Sequence, residues 1–237
     1  MMKKIPLPFR VQSLRYTAPD VIVLDLAPES GEVFGYKPGQ FVMLRLLNSD
    51  GTLWRANAYS LCSIPSNKKT IQLGIKVAGE FSQRVAVLKV GDRVEVRGPH
   101  GIFTLVPSAP AQVMFAAGIG IAPFMSMIRA AAYEKLSAPV TLFYSSKQDI
   151  AFLPELTELV PACPALSIVF VGSCTARSNL PGSCEPGRIT DAIIRKYVKD
   201  FSLPLFSLCG PEGFMDAVKA ILVTYGVDTK RIRSEKF

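Results

Sequence analysis

The spacing of apolar residues changes near residue 106, and this change limits the folds that the chain can adopt. Up to Leu105 the sequence consists of short β-rich runs, such as residues 21–24 and 40–44, separated by Gly and Pro. Short strands with regular turn signals favour an antiparallel barrel or sandwich. We therefore predict an N-terminal antiparallel β-barrel domain over residues 1–106.

After residue 106 apolar strands alternate with helical patterns. The strands are expected at residues 112–116, 140–144, 166–171 and 205–209. Apolar residues recur at i, i+3, i+4 and i+7 in one helix, and a similar apolar face marks a second helix near the end of the chain. The residues of these faces are Phe124, Met127, Ile128 and Ala131, and Phe214, Val218, Ile221 and Leu222. The alternation predicts βαβ units and a parallel-sheet α/β domain over residues 107–237.

Composition limits the classes of partner. The formal net charge of +8 favours acidic proteins or phosphate-rich ligands. Lys and Arg are dispersed along the chain, so a nucleic acid partner is not expected. No apolar run approaches the ~18 residues of a membrane span, and the sequence has no recognisable leader. We expect no membrane span and a cytoplasmic location.

Cysteine and histidine are too few, or wrongly spaced, for most metal and disulfide chemistry. The five cysteines include no C-x-x-C pair and no C-x4-C-x2-C run, so we expect no disulfide framework, zinc site or plant-type iron–sulfur centre. His100 is the single histidine. We therefore predict no metal site, and any redox centre is expected to be organic.

A glycine-rich turn follows the first strand of the α/β domain. It reads G-I-G-I-A-P and contains Gly118, Gly120 and Pro123. Glycines allow the backbone to approach a diphosphate closely, and the free N–H groups at a helix start favour negative charge. The motif G-x-G-x-x-P has proline where the full dinucleotide fingerprint G-x-G-x-x-G has its third glycine, so a tight strand-to-helix turn without a ligand is the alternative interpretation.

A second turn of this kind, C-G-P-E-G-F-M, follows the last apolar strand predicted above and begins at Cys209. In open α/β sheets, ligands lie outside the carboxyl ends of the strands. The two turns are therefore expected to face one crevice. The alternative for Cys209 is a small buried residue at a strand end, which is common for cysteine.

These two segments, with the ending S-E-K-F, resemble the pyridine-nucleotide domain of the ferredoxin-NADP reductase superfamily. The resemblance extends over nearly the whole chain. It implies that the first turn binds a nicotinamide dinucleotide and that the cysteine of the second lies near the nicotinamide. The dinucleotide-binding residues implied by the resemblance are Gly118, Gly120, Pro123, Cys209, Gly210, Pro211 and Met215.

Three earlier segments resemble the flavin domain of the same superfamily: N-A-Y-S at 57–60, G-E-F-S at 79–82, and G-D-R-V-E-V-R-G-P-H-G-I-F at 91–103. An aromatic such as Tyr59 offers a face to a flavin, and Ser60 can hydrogen-bond a flavin nitrogen. Gly79 and Ser82 would supply donors to a diphosphate. The flavin-binding residues implied by the resemblance are Asn57, Ala58, Tyr59, Ser60, Gly79, Phe81 and Ser82. Lys76 is predicted to join them as a nearby cation.

One position departs from the flavin pattern. Asn57 stands where the superfamily usually has Arg, and an amide cannot provide the bidentate, charge-assisted contact of a guanidinium. Arg55, Lys76 and Arg84 are nearby in the sequence. Each is a candidate replacement, and each can equally be a solvated surface charge.

The resemblance implies an oxidoreductase that transfers hydride from NAD(P)H to FAD. Ser60, Cys209 and Glu235 are the implied catalytic residues, and Phe237 is predicted to cover a flavin face. NADPH is preferred over NADH because hydroxyl and basic side chains follow the second and third parallel strands. These residues are Ser146, Lys147, Arg177 and Arg188.

No motif identifies the electron acceptor. Ferredoxin, flavodoxin, an oxygenase component, and free flavin or iron chelates are all candidates, and the positive charge favours an acidic carrier protein. A non-catalytic flavin- or nucleotide-binding subunit of a larger oxidoreductase is the alternative function, with Asn57 as its main support.

Overall fold

A computed structural model describes residues 5–147, 149–172 and 179–236. These residues divide into two compact units. The first comprises the described residues up to Leu105 together with Ala122–Ala130. The second comprises Val106–Ile121 and the described residues from Ala131 onward. The boundary between residues 106 and 107 stays a prediction.

The first unit is built on a six-stranded antiparallel sheet, as predicted. Its strands run in the order β4-β3-β6-β1-β2-β5, and one short helix precedes the last strand in sequence. The elements are β1 (Leu7–Ala18), β2 (Val21–Pro28), β3 (Phe41–Leu47), β4 (Leu53–Ser60), β5 (Ile71–Lys76), α1 (Glu80–Ala86) and β6 (Arg93–His100).

Strand alternation produces the core of this unit. In β3, Val42, Leu44 and Leu46 are buried and alternate with partly exposed residues, as a half-buried strand requires. The two edge strands approach one another beyond the end of β4, where Leu61 forms an antiparallel bridge with Leu73. Because this bridge joins the edges, the sheet curls into a barrel around its apolar interior.

Residues of a later helix complete the first unit. The ring of Phe124 packs edge-to-face on Phe103, with 5.6 Å between centroids. The guanidinium of Arg129 donates to Gln72 Oε1 at 2.9 Å. The helix is thus held to the barrel by an aromatic contact and by a charge-assisted hydrogen bond.

The second unit is a six-stranded parallel sheet with the order β10-β9-β8-β7-β11-β12. Its four predicted strands are confirmed. The elements are β7 (Gln112–Ala117), α2 (Ile121–Tyr133), β8 (Val140–Ser146), α3 (Leu153–Ala162), β9 (Leu166–Gly172), β10 (Ser183–Glu185), α4 (Asp191–Tyr197), β11 (Leu205–Cys209), α5 (Glu212–Thr224) and β12 (Ile232–Glu235).

Helix α5 packs on the sheet as its periodicity predicts. Val218 and Leu222 are fully buried in the same cluster as Phe115 and Phe206. Burial of a side chain of this size contributes about 1.5–3 kcal/mol. The apolar stripe of α5 therefore fixes the helix beneath β7 and β11.

The short edge strands β10 and β12 were not predicted. Between them they contain only one strongly β-favouring residue, Ile232, and they pair in parallel with β9 and β11. Cys184, in β10, is part of a disulfide, which the cysteine spacing did not indicate. Cys62, Cys163 and Cys209 are buried thiols that form no disulfide.

Within the described ranges, every helix is too short or too polar to cross a bilayer.

Replacing Gly39 with Ala is expected to destabilise the first unit. Gly39 has φ +99°, and a Cβ there would collide with the carbonyl oxygen of Phe103 and the methyl group of Met127. We expect a loss of about 2 kcal/mol or more, from strain and overpacking. The control is Gly35→Ala, because a Cβ at Gly35 meets no described atom within 4 Å. Melting temperatures that fall equally in both variants would contradict the prediction.

Candidate functional site

The first glycine turn lies at the carboxyl end of β7. Gly118–Gly120 form one turn of 3-10 helix, and α2 begins at Ile121. Gly118 has φ +54° and is exposed, with no described atom within 4 Å of the position of a Cβ. Pro123 lies in the first turn of α2, where its missing N–H costs no helical hydrogen bond. The backbone at Gly118 is therefore open to a ligand.

The second glycine turn lies directly against the first. Strands β7 and β11 are neighbours, with Ala116 paired to Cys209. A Cβ on Gly120 would come within 2.5 Å of the Cys209 carbonyl carbon and 2.9 Å of the Gly210 nitrogen. The two turns thus lie side by side in this unit, and the ligand crevice that they are expected to face stays a prediction. The turns lie at the switch point of the sheet, because β8 is on the other side of β7.

The remaining residues of the second turn have distinct roles. Gly210 is buried, and a Cβ there would lie 2.9 Å from that of Ala117. Pro211 is exposed and caps the start of α5. Met215 is 7% exposed and packs in the core of the sheet. Core packing accounts for Met215, and its contact with a coenzyme stays a prediction.

Cys209 and Glu235 are brought together by the unpredicted strand β12. They are register partners in the parallel pairing of β11 and β12. Burial, and then the nearby carboxyl of Glu235, raise the pKa of the Cys209 thiol. Partial burial also raises the pKa of Glu235. The site thus holds a neutral thiol beside a carboxyl group whose ionisation is disfavoured.

The residues expected to select NADPH are only partly brought together. Ser146 ends β8 and pairs with Gly172 at the end of β9. The Ser146 hydroxyl donates to the Asp149 carbonyl at 2.6 Å. Lys147 follows directly and is exposed, whereas exposed Arg188 lies before α4. Arg177 lies outside the described residues, so the choice of coenzyme stays a prediction.

In the first unit, Ser60 ends β4 with an unsatisfied hydroxyl. The residue is 3% exposed, and its Oγ finds no hydrogen-bond partner within residues 5–147, 149–172 and 179–236. An unmade hydrogen bond at a buried polar atom costs about 1–3 kcal/mol. A ligand nitrogen that accepts from Ser60 would remove this cost.

Tyr59 and Asn57 form a pair on the opposite face of β4. The Tyr59 ring packs against Phe81 with 6.0 Å between centroids. Burial raises the pKa of Tyr59, and a hydrogen bond from the Asn57 amide opposes this effect. Asn57 and Ala58 are both exposed.

The G-E-F-S segment builds the turn into α1. Ser82 Oγ accepts from the backbone nitrogens of Ala78 and Gly79, both at 3.0 Å, and donates to the Gly79 carbonyl at 2.9 Å. Ser82 therefore shapes the turn from within, and its donation to a diphosphate stays a prediction. Gly79 itself is exposed, with no described atom near the position of a Cβ.

One aromatic residue that the sequence reasoning missed is Trp54. Its ring stacks on Phe81 at 5.8 Å, and the Arg84 guanidinium lies 4.3 Å from its centroid. Arg55 Nη1 lies 3.4 Å from Glu80 Oε2, and Lys76 is paired with Asp20 at 3.2 Å. Trp54 is the single tryptophan in the sequence, and this rarity was the signal that could have drawn attention to it.

The two cofactors implied by the motifs fit these residues. The buried, unpartnered Ser60 hydroxyl suits a flavin nitrogen, and the open backbone at Gly118 suits a diphosphate. Phe237 lies outside the described residues, so its predicted contact with the flavin is not placed. Among the described residues, no cluster of His, Cys, Asp or Glu is arranged to hold a metal.

Comparison with known proteins agrees with this division of sites. Residues 8–105 match the family model described as an oxidoreductase FAD-binding domain. Residues 114–220 match the model described as an oxidoreductase NAD-binding domain.

Several known proteins resemble nearly all of the chain. The reductase component of propane 2-monooxygenase from Mycolicibacterium smegmatis is 27% identical over 221 residues, covering 90% of this chain and 62% of the relative. NADH-cytochrome b5 reductase 1 from Eremothecium gossypii is 30% identical over 218 residues, covering 88% and 75%. The crystal structure of the cytochrome b5 reductase domain of Ulva prolifera nitrate reductase matches with TM-score 0.83 and 21% identity, covering 98% and 97%.

An FAD-binding domain followed by an NAD-binding domain is the domain organisation of flavoprotein oxidoreductases. More narrowly, this chain belongs to the ferredoxin-NADP reductase-like family, which confirms the resemblance carried by its motifs. The chain spans 57–64% of the length of three curated reductase relatives that it matches.

Gly120→Ala tests the contact between the two glycine turns. A methyl group would be forced against the Cys209 carbonyl, so we expect a loss of about 1–3 kcal/mol and weaker coenzyme binding. The matched control is Gly213→Ala in the second turn, because a Cβ at Gly213 meets no described atom within 4 Å. Thermal unfolding and coenzyme titration check both variants. Equal behaviour of the two would contradict the proposed packing.

Glu235→Gln is expected to raise stability in a pH-dependent way. The raised pKa means that the folded state binds a proton at Glu235 more tightly than the unfolded state. This stabilising contribution is present below the ordinary Glu pKa of about 4.3 and is lost as the pH rises through the folded-state value. The variant should therefore melt at a higher temperature than wild type at pH 8, and the difference in melting temperature should close toward pH 4. A difference that does not change with pH would argue against burial as the cause. Glu134→Gln, at an exposed carboxyl group, is the control.

Proposed function

We propose that this chain is an FAD-dependent NAD(P)H oxidoreductase that transfers hydride from the nicotinamide to the flavin and then passes electrons to a protein acceptor. The buried Ser60 hydroxyl, which lacks a described partner at the end of β4, carries the proposal. No feature of the core packing explains this atom, whereas a flavin nitrogen would satisfy it.

FAD and nicotinamide supply the redox chemistry when they are bound. The chain's own residues orient and shield the reacting groups. Ser60 directs a hydrogen-bond donor from a buried position, where a hydrogen bond is stronger than in water. Cys209 stays uncharged near neutral pH because burial raises its pKa. Gly118 and Gly120 leave room for the coenzyme diphosphate to approach the backbone.

The acceptor belongs to the same proposal. The net charge of +8 favours an acidic electron-carrier protein or an oxygenase component with an acidic docking surface. One relative is named as the reductase component of a monooxygenase, which supports the oxygenase option. The serine, lysine and arginine side chains after β8 and before α4 favour NADPH over NADH. A cytoplasmic location stays a prediction from the sequence.

An absorbance experiment tests the proposal directly. The purified protein is supplied with FAD, washed free of unbound flavin, and mixed anaerobically with NADPH and, separately, NADH. We expect retained flavin bands that bleach, faster with NADPH. A protein that stays colourless, or retains flavin that neither coenzyme bleaches, would favour the non-catalytic subunit.

Ser60→Ala should slow the bleaching without unfolding the barrel. Loss of one hydrogen bond to the reacting group predicts a rate lower by about 10- to 100-fold. Ser66→Ala is the control, because Ser66 is an exposed loop residue of the same unit. Stopped-flow absorbance measures the rates. Equal rates in the two variants would remove Ser60 from the proposed site.

A further inference from the structure

The flavin site lacks a cation at position 57. Asn57 is neutral and cannot neutralise a diphosphate. An FAD diphosphate carries two negative charges, which a guanidinium near the predicted diphosphate turn at Gly79 would neutralise. Three basic side chains are near in sequence, and the structure distinguishes them.

The backbone of β4 places Arg55 on the same face as Asn57. Strand residues two apart point to one side, so Arg55, Asn57 and Tyr59 lie in one row. Pairing with β3 joins Arg55 to Leu46 and Leu53 to Leu47, which leaves Trp54 as the extra residue of a β-bulge.

Trp54 fixes this bulge beside α1. Its ring stacks on Phe81 with an interplanar angle of 14°. The Arg84 guanidinium lies 4.3 Å from the ring centroid, and the Arg55 guanidinium lies farther away, at 5.7 Å. Trp54 therefore packs the strand against the helix, and Arg84 contributes to this packing through a cation–π contact.

Arg55 reaches the first residue of α1. Its Nη1 lies 3.4 Å from Glu80 Oε2, next to Gly79 in sequence. The side chains of Arg55 and Glu80 are 54% and 74% exposed, so the pair contributes little to stability. A dianionic diphosphate can replace Glu80 as the partner of Arg55 at small cost. Lys76, by contrast, is turned to Asp20 at 3.2 Å.

We propose that Arg55 is the guanidinium that binds the FAD diphosphate in this chain, acting from two residues before the position left without a cation at Asn57. The inference rests on the proposed flavin function. Arg84 then supports the Trp54 ring, and Lys76 lies outside the site.

The test compares two ligands that differ in phosphate. Apoprotein is titrated with FAD and with riboflavin, which carries no phosphate, and flavin fluorescence reports binding. Arg55→Gln should weaken FAD binding by about 10- to 100-fold and leave riboflavin binding unchanged. Lys68→Gln, the matched control at an exposed lysine of the same unit, should change FAD binding by less than about threefold. The double variant Arg55→Gln with Asn57→Arg should recover most of the lost FAD affinity.

The outcomes separate this inference from the proposed function. Unchanged FAD binding by Arg55→Gln, or equal weakening of FAD and riboflavin, would overturn the role of Arg55 while the flavin function stands. A specific loss of FAD affinity in Arg84→Gln or Lys76→Gln instead of Arg55→Gln would also overturn it. Absence of FAD binding by the wild-type chain would overturn the proposed function and this inference together.

Discussion

The close approach of two backbone turns at the carboxyl ends of β7 and β11 is the constraint on which the second unit depends. Gly120 lies so near the Cys209 carbonyl that no side chain fits between them. This contact allows the start of α2 and the start of α5 to border the same crevice. The strand order of the parallel sheet reverses at this point. In open α/β sheets, ligands bind where the order reverses.

The architecture of both units follows from local patterns in the sequence. Apolar residues at every second position mark the buried face of β3, and apolar residues at helical spacing mark the buried face of α5. The period of the apolar residues therefore predicts the type of element. β12 could not be found in this way, because its four residues include only Ile232 as a strong strand former. It exists because the exposed edge of β11 offers unpaired backbone groups. The placement of Glu235 beside Cys209 therefore needed the structure, even though the resemblance had already identified both residues.

The candidate site shows a similar division. The glycine spacing identified the two turns, and the short flavin motif identified Ser60. The cap formed by Ser82 and the bulge at Trp54 could not be predicted, because each depends on which atoms meet after β4 and α1 have packed. Sequence motifs thus predicted which segments belong to the candidate site, but not the polar contact that each residue makes. Ser82, for example, lies in a predicted binding motif but uses its hydroxyl to stabilise its own turn.

Residues Ala122–Ala130 belong to the first unit, although they lie within a helix that begins at the dinucleotide turn. The barrel is consequently not a severable module of the chain. A fragment ending at Leu105 would uncover Phe103 and leave the contacts of Gln72 with Arg129 unmade. A barrel transplanted into another protein would need residues Ala122–Ala130, or a compatible helix, to complete it.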